Sequence, residues 1–515
     1  MLRLRTRLGV VIVLILAALI FYPTQNGHAD NEIKVAYDGD AIRFTNPPVS
    51  INGTTYAQAR PLLQSLGLTI NWLSSGKFSI HKSGLTIDMA AGSATAYVNG
   101  KSQTLAFPPL LRDSTLFLPL RPIASLLQIT VQWDASARLV ALSSLQGEDG
   151  VAVQSAYKVI GYYPSWALYQ KYDSSKLATA GLTHINYAFA NIENGQISLG
   201  DADADKANFA ALRKLKAANP KLKTLISVGG WTWSGRFSDA AASIYARNLF
   251  ADSVVAFIRQ HGFDGVDLDW EYPVSGGLAG NKHRPEDKRN FTLLLQTLRD
   301  KLNAAGTKDG RTYLLTIAVG AAQENVGNIE AKNVAGIVDW INLMTYDYHG
   351  DWEKKSGHNA PLYGDSADPI SAQENIDFTV QAYKNDGVPA AKLVMGVPFY
   401  GRSWTGCGTA DHGQYSSCSG STDGTLGSGS YSYATLVKQN WAGGGNGYTR
   451  YWNERTKTPW LYSAANGGTF IAYEDPESIG YKAEYVKRNK LGGVMAWELS
   501  QDSGLTLLTK LVQNL

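Results

Sequence analysis

The run Phe263-Asp264-Gly265-Val266-Asp267-Leu268-Asp269-Trp270-Glu271-Tyr272-Pro273 carries the clearest chemistry in the chain. On an extended strand, successive side chains alternate between faces. Asp267, Asp269 and Glu271 therefore share one face, and Val266, Leu268 and Trp270 share the other. Crowded carboxyls raise at least one pKa, and a carboxyl held protonated near neutral pH is what general-acid catalysis requires. A solvent-facing acidic strand and a divalent-cation site are the alternatives. No cluster of histidines or further acids stands out to complete a cation site. The expectation is catalysis with no metal and no other cofactor.

Such a row needs a rigid frame. From Tyr157 onward, short apolar runs alternate with helical ones. Candidate strands are Lys158–Tyr163, Thr183–Phe189, Lys223–Gly229, Gly262–Tyr272, Thr312–Val319, Val338–Tyr346, Lys392–Pro398 and Gly492–Leu499. Phe250, Val254, Phe257 and Ile258 follow helical spacing, with Gly262 as the stop; Phe291, Leu294, Leu298 and Leu302 do the same, with Gly306 as the stop. Near-continuous apolar strands between helices imply a parallel sheet covered on both faces. Eight such units predict a closed (β/α)8 TIM barrel over residues 155–515. The acidic face then points inside, with Glu271 at the carboxyl end of the fourth strand, where barrel active sites lie. The Gly/Ser-, Tyr- and Trp-rich stretch of about 403–473 reads as a small α+β insertion after strand seven, deepening the mouth into a groove.

An internal repeat precedes the barrel. Pro47-Pro48, Thr54, Arg60-Pro61, Leu66, Thr69 and Trp72 recur 61 residues later as Pro108-Pro109, Thr115, Arg121-Pro122, Leu127, Thr130 and Trp133. Each unit reads as a strand, a short helix opening near Arg-Pro and a strand ending at Trp. This duplicated α+β module fills residues 30–144. Residues 145–154 are polar and small, and read as a linker. With one histidine, His81, and no cysteine, the module offers no transition-metal site. A spacer or a contact with the cell wall is the default expectation for it, ahead of sugar binding.

The formal charge of +3 comes from 47 basic and 44 acidic residues. Arg3, Arg5 and Arg7 supply the excess, so the rest of the chain balances, and no polyanionic partner such as nucleic acid is expected. Those arginines, the apolar run Leu8–Tyr22 and Gly27-His28-Ala29 read as an export signal over residues 1–29, with an uncleaved anchor as the alternative. The protein is expected to be secreted or cell-surface associated, and monomeric. Its 13 Trp and 27 Tyr suit stacking surfaces for flat ligands or bulky core packing. The only two cysteines, Cys407 and Cys418, read as a local disulfide. A metal site there would have only His412 nearby.

The Asp-x-x-Asp-x-Asp-x-Glu pattern at 264, 267, 269 and 271 resembles that of glycoside hydrolase family 18, the chitinases. Ser227-Val228-Gly229-Gly230-Trp231, Met344-Thr345-Tyr346-Asp347, Gly396-Val397-Pro398-Phe399-Tyr400-Gly401-Arg402 and Met495-Ala496-Trp497-Glu498 support it, each at the end of a later or earlier strand in the family's order. The insertion is similar to that of the deep-groove bacterial subfamily. The repeat, with Val131-Gln132-Trp133-Asp134, resembles the copper amine oxidase N-terminal-like domain of exported bacterial proteins. The first resemblance implies substrate-assisted, retaining hydrolysis of β-1,4-linked N-acetylglucosamine polymers. It implies Glu271 as acid and base, Asp269 as partner of the substrate acetamido group, Asp267 as its proton-sharing neighbour, and Tyr346 as a donor to the acetamido oxygen. Trp497 would floor the distorted sugar. Tyr163, Phe189, Ser227, Met344, Asp347, Tyr400 and Arg402 would line the pocket, and Trp231 and Trp352 would be stacking platforms. Chitin or chitooligosaccharides are the expected partners. An endo-acting hydrolase of peptidoglycan or N-glycans, and a non-catalytic chitin-binding barrel, stay open.

Overall fold

The computed structural model of the chain describes residues 33–144 and 157–515, apart from 38–39, 52, 75, 83–84, 128, 135–137, 369 and 371–372. The expected export segment and linker lie outside the described residues. The chain divides into two compact units, Met1–Asp149 and Gly150–Leu515. Among the described residues, no helix is long and apolar enough to cross a membrane.

The repeat folds twice into the same strand–helix–strand order. The first copy is Thr54–Gln58, Ala59–Ser65 and Thr69–Ser74; the second is Thr115–Pro119, Leu120–Leu126 and Ile129–Asp134. The two copies meet in one antiparallel ladder where Ala57 faces Leu118, its own counterpart, and Tyr56 and Gln58 face Pro119 and Phe117. That register places a local two-fold axis between the copies. The copies differ in the sheet that their last strand joins. Thr69–Ser74 edges a five-stranded meander, and Ile129–Asp134 edges a four-stranded sheet that includes Lys34–Tyr37. Matched apolar positions such as Leu62 and Ile123 are buried in a shared core with Phe78, Ile80, Ile87 and Leu118.

In the second unit, eight parallel strands close into a barrel: β1 Lys158–Pro164, β2 His184–Glu193, β3 Lys223–Gly229, β4 Gly265–Asp269, β5 Leu314–Gly320, β6 Trp340–Met344, β7 Leu393–Pro398 and β8 Gly493–Trp497. Neighbours pair in sequence order, and β1 closes the ring against β8 and β2. The outward row packs Val159, Ile226, Val266, Leu268, Ile317 and Leu343 under the helices. The inward row includes an apolar plug of Ile160, Leu225, Trp340, Val394 and Met495.

Three boundaries depart from the sequence reading. β4 is shorter than Gly262–Tyr272: Gly262 (φ 79°) ends the helix Ile244–His261, and the strand stops at Asp269. The helix Asp287–Asp309 runs through Gly306 and stops at Gly310 (φ 65°). Gly306 instead sits where a Cβ would strike the carbonyl of Arg311. The insertion opens at Tyr400 rather than Ser403. It is a five-stranded antiparallel sheet of Tyr400–Trp404, Ser430–Ser432, Thr449–Asn453, Thr458–Ser463 and Thr469–Ala472, with the helix Tyr433–Lys438. Cys407 and Cys418 form a disulfide within it.

Candidate active site

Parallel strands in register deliver the acids. Ser227 on β3, Asp267 on β4 and Thr316 on β5 are laterally paired. All three side chains are buried and point inward, so they meet. Asp267 accepts hydrogen bonds from Tyr162 Oη (2.6 Å), Ser227 Oγ (2.9 Å), Thr316 Oγ1 (2.5 Å) and Asn342 Nδ2 (3.2 Å). Asn342 is oriented in turn by Trp340 Nε1 (3.0 Å). A buried carboxylate is tolerable only when satisfied in this way. Asp264, at the other end of the run, is tied to Lys216 (2.6 Å), Arg311 and the amide of Thr224. It therefore anchors the base of the strand, away from the mouth.

Asp269 lies one pleat further on, bonded to Asp267 and to Tyr162 Oη (3.2 Å). Burial first, then the charge of Asp267, pushes its pKa well above the ordinary carboxyl range. The raised carboxyl lies directly against Asp267, so a single proton can lie between the two oxygens. Glu271 stands beyond the end of β4. Burial, aided by the charge of Asp347, pushes its carboxyl up to about 8, so it holds a proton at neutral pH. Its main chain is fixed on both sides: its amide donates to Ser234 Oγ (2.9 Å), and its carbonyl accepts from Asn281 Nδ2 (3.0 Å). Ser234 Oγ also donates to the carbonyls of Gly230 and Asp269. At Gly277 any Cβ would collide with the Glu271 carbonyl.

An aromatic floor adjoins this row. Phe189 stacks on Trp497 at 5.7 Å, Tyr162 meets Trp497 edge-on at 5.3 Å, and Trp166 does so at 6.2 Å. Met344 and Tyr346 pack against the same cluster. A Cβ at Gly230 would strike the Phe189 ring, which explains the glycine there. Tyr346 is half-buried, desolvation raises its pKa well above the ordinary tyrosine value, and its hydroxyl makes a long contact to Met495 Sδ (3.9 Å). The hydroxyl is thus a proton-bearing donor. On the far wall, Arg402 grips Asp347 with Nε (2.8 Å) and Nη2 (2.8 Å), and Tyr400 Oη donates to the same carboxylate (2.7 Å). The guanidinium lies over Trp352 at 5.2 Å. Trp352 and Trp231 are 57% and 51% exposed.

One expected residue is misplaced. Tyr163 is 2% exposed, faces the helix layer and donates to Asn208 Oδ1 (3.1 Å). Strand alternation gives the inward position to its neighbour Tyr162, and two adjacent tyrosines left residue type unable to decide. Sequence reasoning also missed Thr316, Asn342, Ser234, Asn281 and Trp166, which belong to no motif. For Thr316, lateral pairing with Asp267 was the available signal.

Among the described residues, His349, Glu353 and Glu374 could bring three metal-ligating atoms together. Both ring nitrogens of His349 are already engaged, Nδ1 on Glu353 (2.8 Å) and Nε2 on Asp368 (2.9 Å), and these bonds push its pKa up to about 9 against the effect of burial. A protonated ring has no lone pair for a metal. His349, Glu353 and Asp368 together clamp the segment after β6.

Residues 158–502 match the glycosyl hydrolases family 18, and residues 36–142 match the copper amine oxidase N-terminal domain. Over 429 residues, 73% of this chain, the sequence is 48% identical to Chitinase A1 of Niallia circulans, and it spans 61% of that relative's length. Among solved structures, Chitinase ChiA74 from Bacillus thuringiensis superposes with a TM-score of 0.67 at 43% identity, covering 70% of this chain and 69% of that one. Catalytic domain 2 of the Ostrinia furnacalis Group II chitinase, a mutant in complex with penta-N-acetylchitooctaose, gives a TM-score of 0.64 at 31% identity, covering 70% and 97%. With the acid row, the aromatic floor and the family match all falling on the same barrel, the chain belongs to glycosyl hydrolases family 18.

Proposed function

We propose that the protein is a secreted chitinase that cleaves β-1,4-N-acetylglucosamine linkages by substrate-assisted, retaining catalysis. The observation that carries this reading is the buried row Asp267–Asp269–Glu271 beside the aromatic floor of Phe189 and Trp497. Glu271, protonated at neutral pH, gives its proton to the glycosidic oxygen as the bond to the anomeric carbon breaks. The carbonyl oxygen of the sugar's own 2-acetamido group attacks that carbon and forms an oxazolinium ion. Tyr346 holds the acetamido oxygen in line, a positioning effect.

Asp269 turns from Asp267 to accept the acetamido N–H and stabilise the cation, leaving the shared proton on Asp267. The hydroxyls of Tyr162, Ser227 and Thr316 can rotate to accept from the protonated Asp267, because a hydroxyl both donates and accepts. Glu271, now a carboxylate, takes a proton from water as the water opens the ring. Trp497 floors the distorted sugar, and Trp231 and Trp352 support neighbouring units. Every group in this scheme comes from one chain, which suits action as a monomer. Export is supported by the leader-like residues 1–29 and by the Cys407–Cys418 disulfide, which belongs to oxidising compartments.

The test is product analysis by mass spectrometry on soluble chitin oligomers, beside peptidoglycan and a glycoprotein. Cleavage confined to chitin oligomers is expected, with failure on oligomers bearing a free amine at the cleaved subsite. Equal hydrolysis of acetylated and deacetylated sugars would overturn the substrate-assisted step.

A further inference from the structure

The barrel leaves unexplained two tryptophans of the duplicated module. Trp72 and Trp133 occupy the same position in the two copies of the repeat and are 48% and 43% exposed. Matched apolar residues elsewhere in the repeat, Leu62 and Ile123, are buried and serve the core. Other exposed apolar residues of the module are not matched: Leu73 corresponds to Asp134, Leu111 to Ser50, and Tyr97 lies between the two copies. Exposure of a large indole is thus the shared surface feature of the two copies.

The strand placement of the two residues is also the same. Each sits on an edge strand of its own sheet. Each continues the strand face that holds Ile70 in one copy and Val131 in the other, both packed on the core. Each is paired across the ladder with a buried residue, Trp72 with Phe78 and Trp133 with Val140. The Trp72 ring meets Phe78 edge-on at 5.8 Å. The Trp72 indole is therefore backed by Phe78, Trp133 stands at the matched place beside Val140, and both are open to solvent. A single supported indole, rather than a broad apolar patch, suits a flat ligand that is apolar on its face and polar at its rim. Residues 30–144 carry nine basic and seven acidic side chains with no run of one sign, which gives no attraction to a polyanion. Two equivalent platforms suit a polymer that repeats the same face. In the barrel the other strongly exposed indoles, Trp231 and Trp352, flank the proposed sugar groove.

We propose that Trp72 and Trp133 are paired sugar-stacking platforms, one per repeat, by which the module holds chitin outside the groove. The choice of chitin rests on the function proposed for the barrel. The test is partition of the full chain onto insoluble chitin in the cold, for wild type, Trp72→Ala, Trp133→Ala and the double variant. Each single change should lower the partition coefficient about threefold or more, and the double change about tenfold or more, because bivalent attachment multiplies the two contacts. Hydrolysis of a soluble chitin tetramer should stay within twofold of wild type. Trp→Tyr at both sites should restore much of the retention, which separates stacking from misfolding.

Wild-type retention by the double alanine variant would overturn the proposal. So would retention lost on peptidoglycan sacculi but kept on chitin, which would assign the wall polymer. A concentration-dependent change in elution volume would instead assign a second copy of the chain, and a parallel loss of tetramer hydrolysis would assign contact with the barrel. Failure of the wild-type chain to cleave the tetramer would sink the barrel's reading alone, since partition is measured without turnover.

Discussion

The two units of this chain use their interiors in opposite ways. The duplicated module buries an apolar core, with Thr54 and Ser79 the buried polar residues among those described. The barrel buries Asp267, Asp269 and Glu271 with Tyr162, Ser227, Thr316 and Asn342 around them. Burying charge costs free energy unless every group is satisfied or neutralised. The barrel meets that cost with four donors on one carboxylate and a raised pKa on the next two. What distinguishes the module is on its surface; what distinguishes the barrel is inside it.

The largest effect expected on this contrast is Glu271→Gln. The change keeps the shape and removes the proton, so turnover of a chitin tetramer should fall by about 10²–10⁴-fold or more while binding is largely kept. Wild-type-like turnover of the purified variant would remove the interior from the chemistry altogether.

A sharper cut comes from two adjacent residues. Tyr162→Phe withdraws a donor from both Asp267 and Asp269 and leaves buried acceptors short, so kcat should fall about tenfold with KM little changed. Tyr163→Phe removes a bond on the helix side and should leave kcat within about twofold of wild type. Steady-state kinetics of the pair decides whether the inward row alone carries the chemistry, and equal losses would show that it does not.

The raised carboxyl of Glu271 gives a pH signature. Under the proposed scheme the acid must be protonated to act, so kcat/KM should be maintained below about 8 and fall about tenfold per unit above it. Stability depends on the same group with a definite sign. The unfolded carboxyl loses its proton near 4.5 and the folded one near 8, so the folded state is progressively penalised as pH rises through that window. Glu271→Gln lacks the penalty. Its melting temperature should exceed that of wild type at pH 8 and match it at pH 4, and an equal difference at both would show that Glu271 does not titrate as described.

The smallest effect is expected from the other unit. A chain starting near Val151 should hydrolyse a soluble tetramer at close to the full rate, because the acid row and its donors all lie beyond Tyr157. A loss beyond about tenfold in a folded protein would mean that the module builds part of the groove.

Much of this was legible from period and spacing. Asp267, Asp269 and Glu271 stay neighbours even though β4 stops at Asp269: all three are buried, and the charge of Glu271 still acts on Asp269. Both copies of the repeat folded as their spacing implied. What escaped had a physical reason. Alternation needs a fixed phase, and Tyr162–Tyr163 offered none. Gly306 was read as a stop from its type, although its lack of a side chain serves close packing and Gly310 supplies the turn. Thr316 meets Asp267 from the next strand and Asn342 from the next but one, relations of register and curvature that no motif along the chain carries.

The pinning of Glu271 through Ser234 and Asn281 has a consequence in time. With its amide and carbonyl held at 2.9 and 3.0 Å, the main chain that carries the acid is already fixed in place. Under the proposed scheme the moving part is a single carboxylate, that of Asp269, turning about its side-chain bonds. Side-chain turns take picoseconds to nanoseconds where they are free, far below the microseconds to milliseconds of loop and domain closure. The pace of the enzyme would then be set by bond breaking and by the travel of the polymer through the groove, with no conformational clock in the barrel itself.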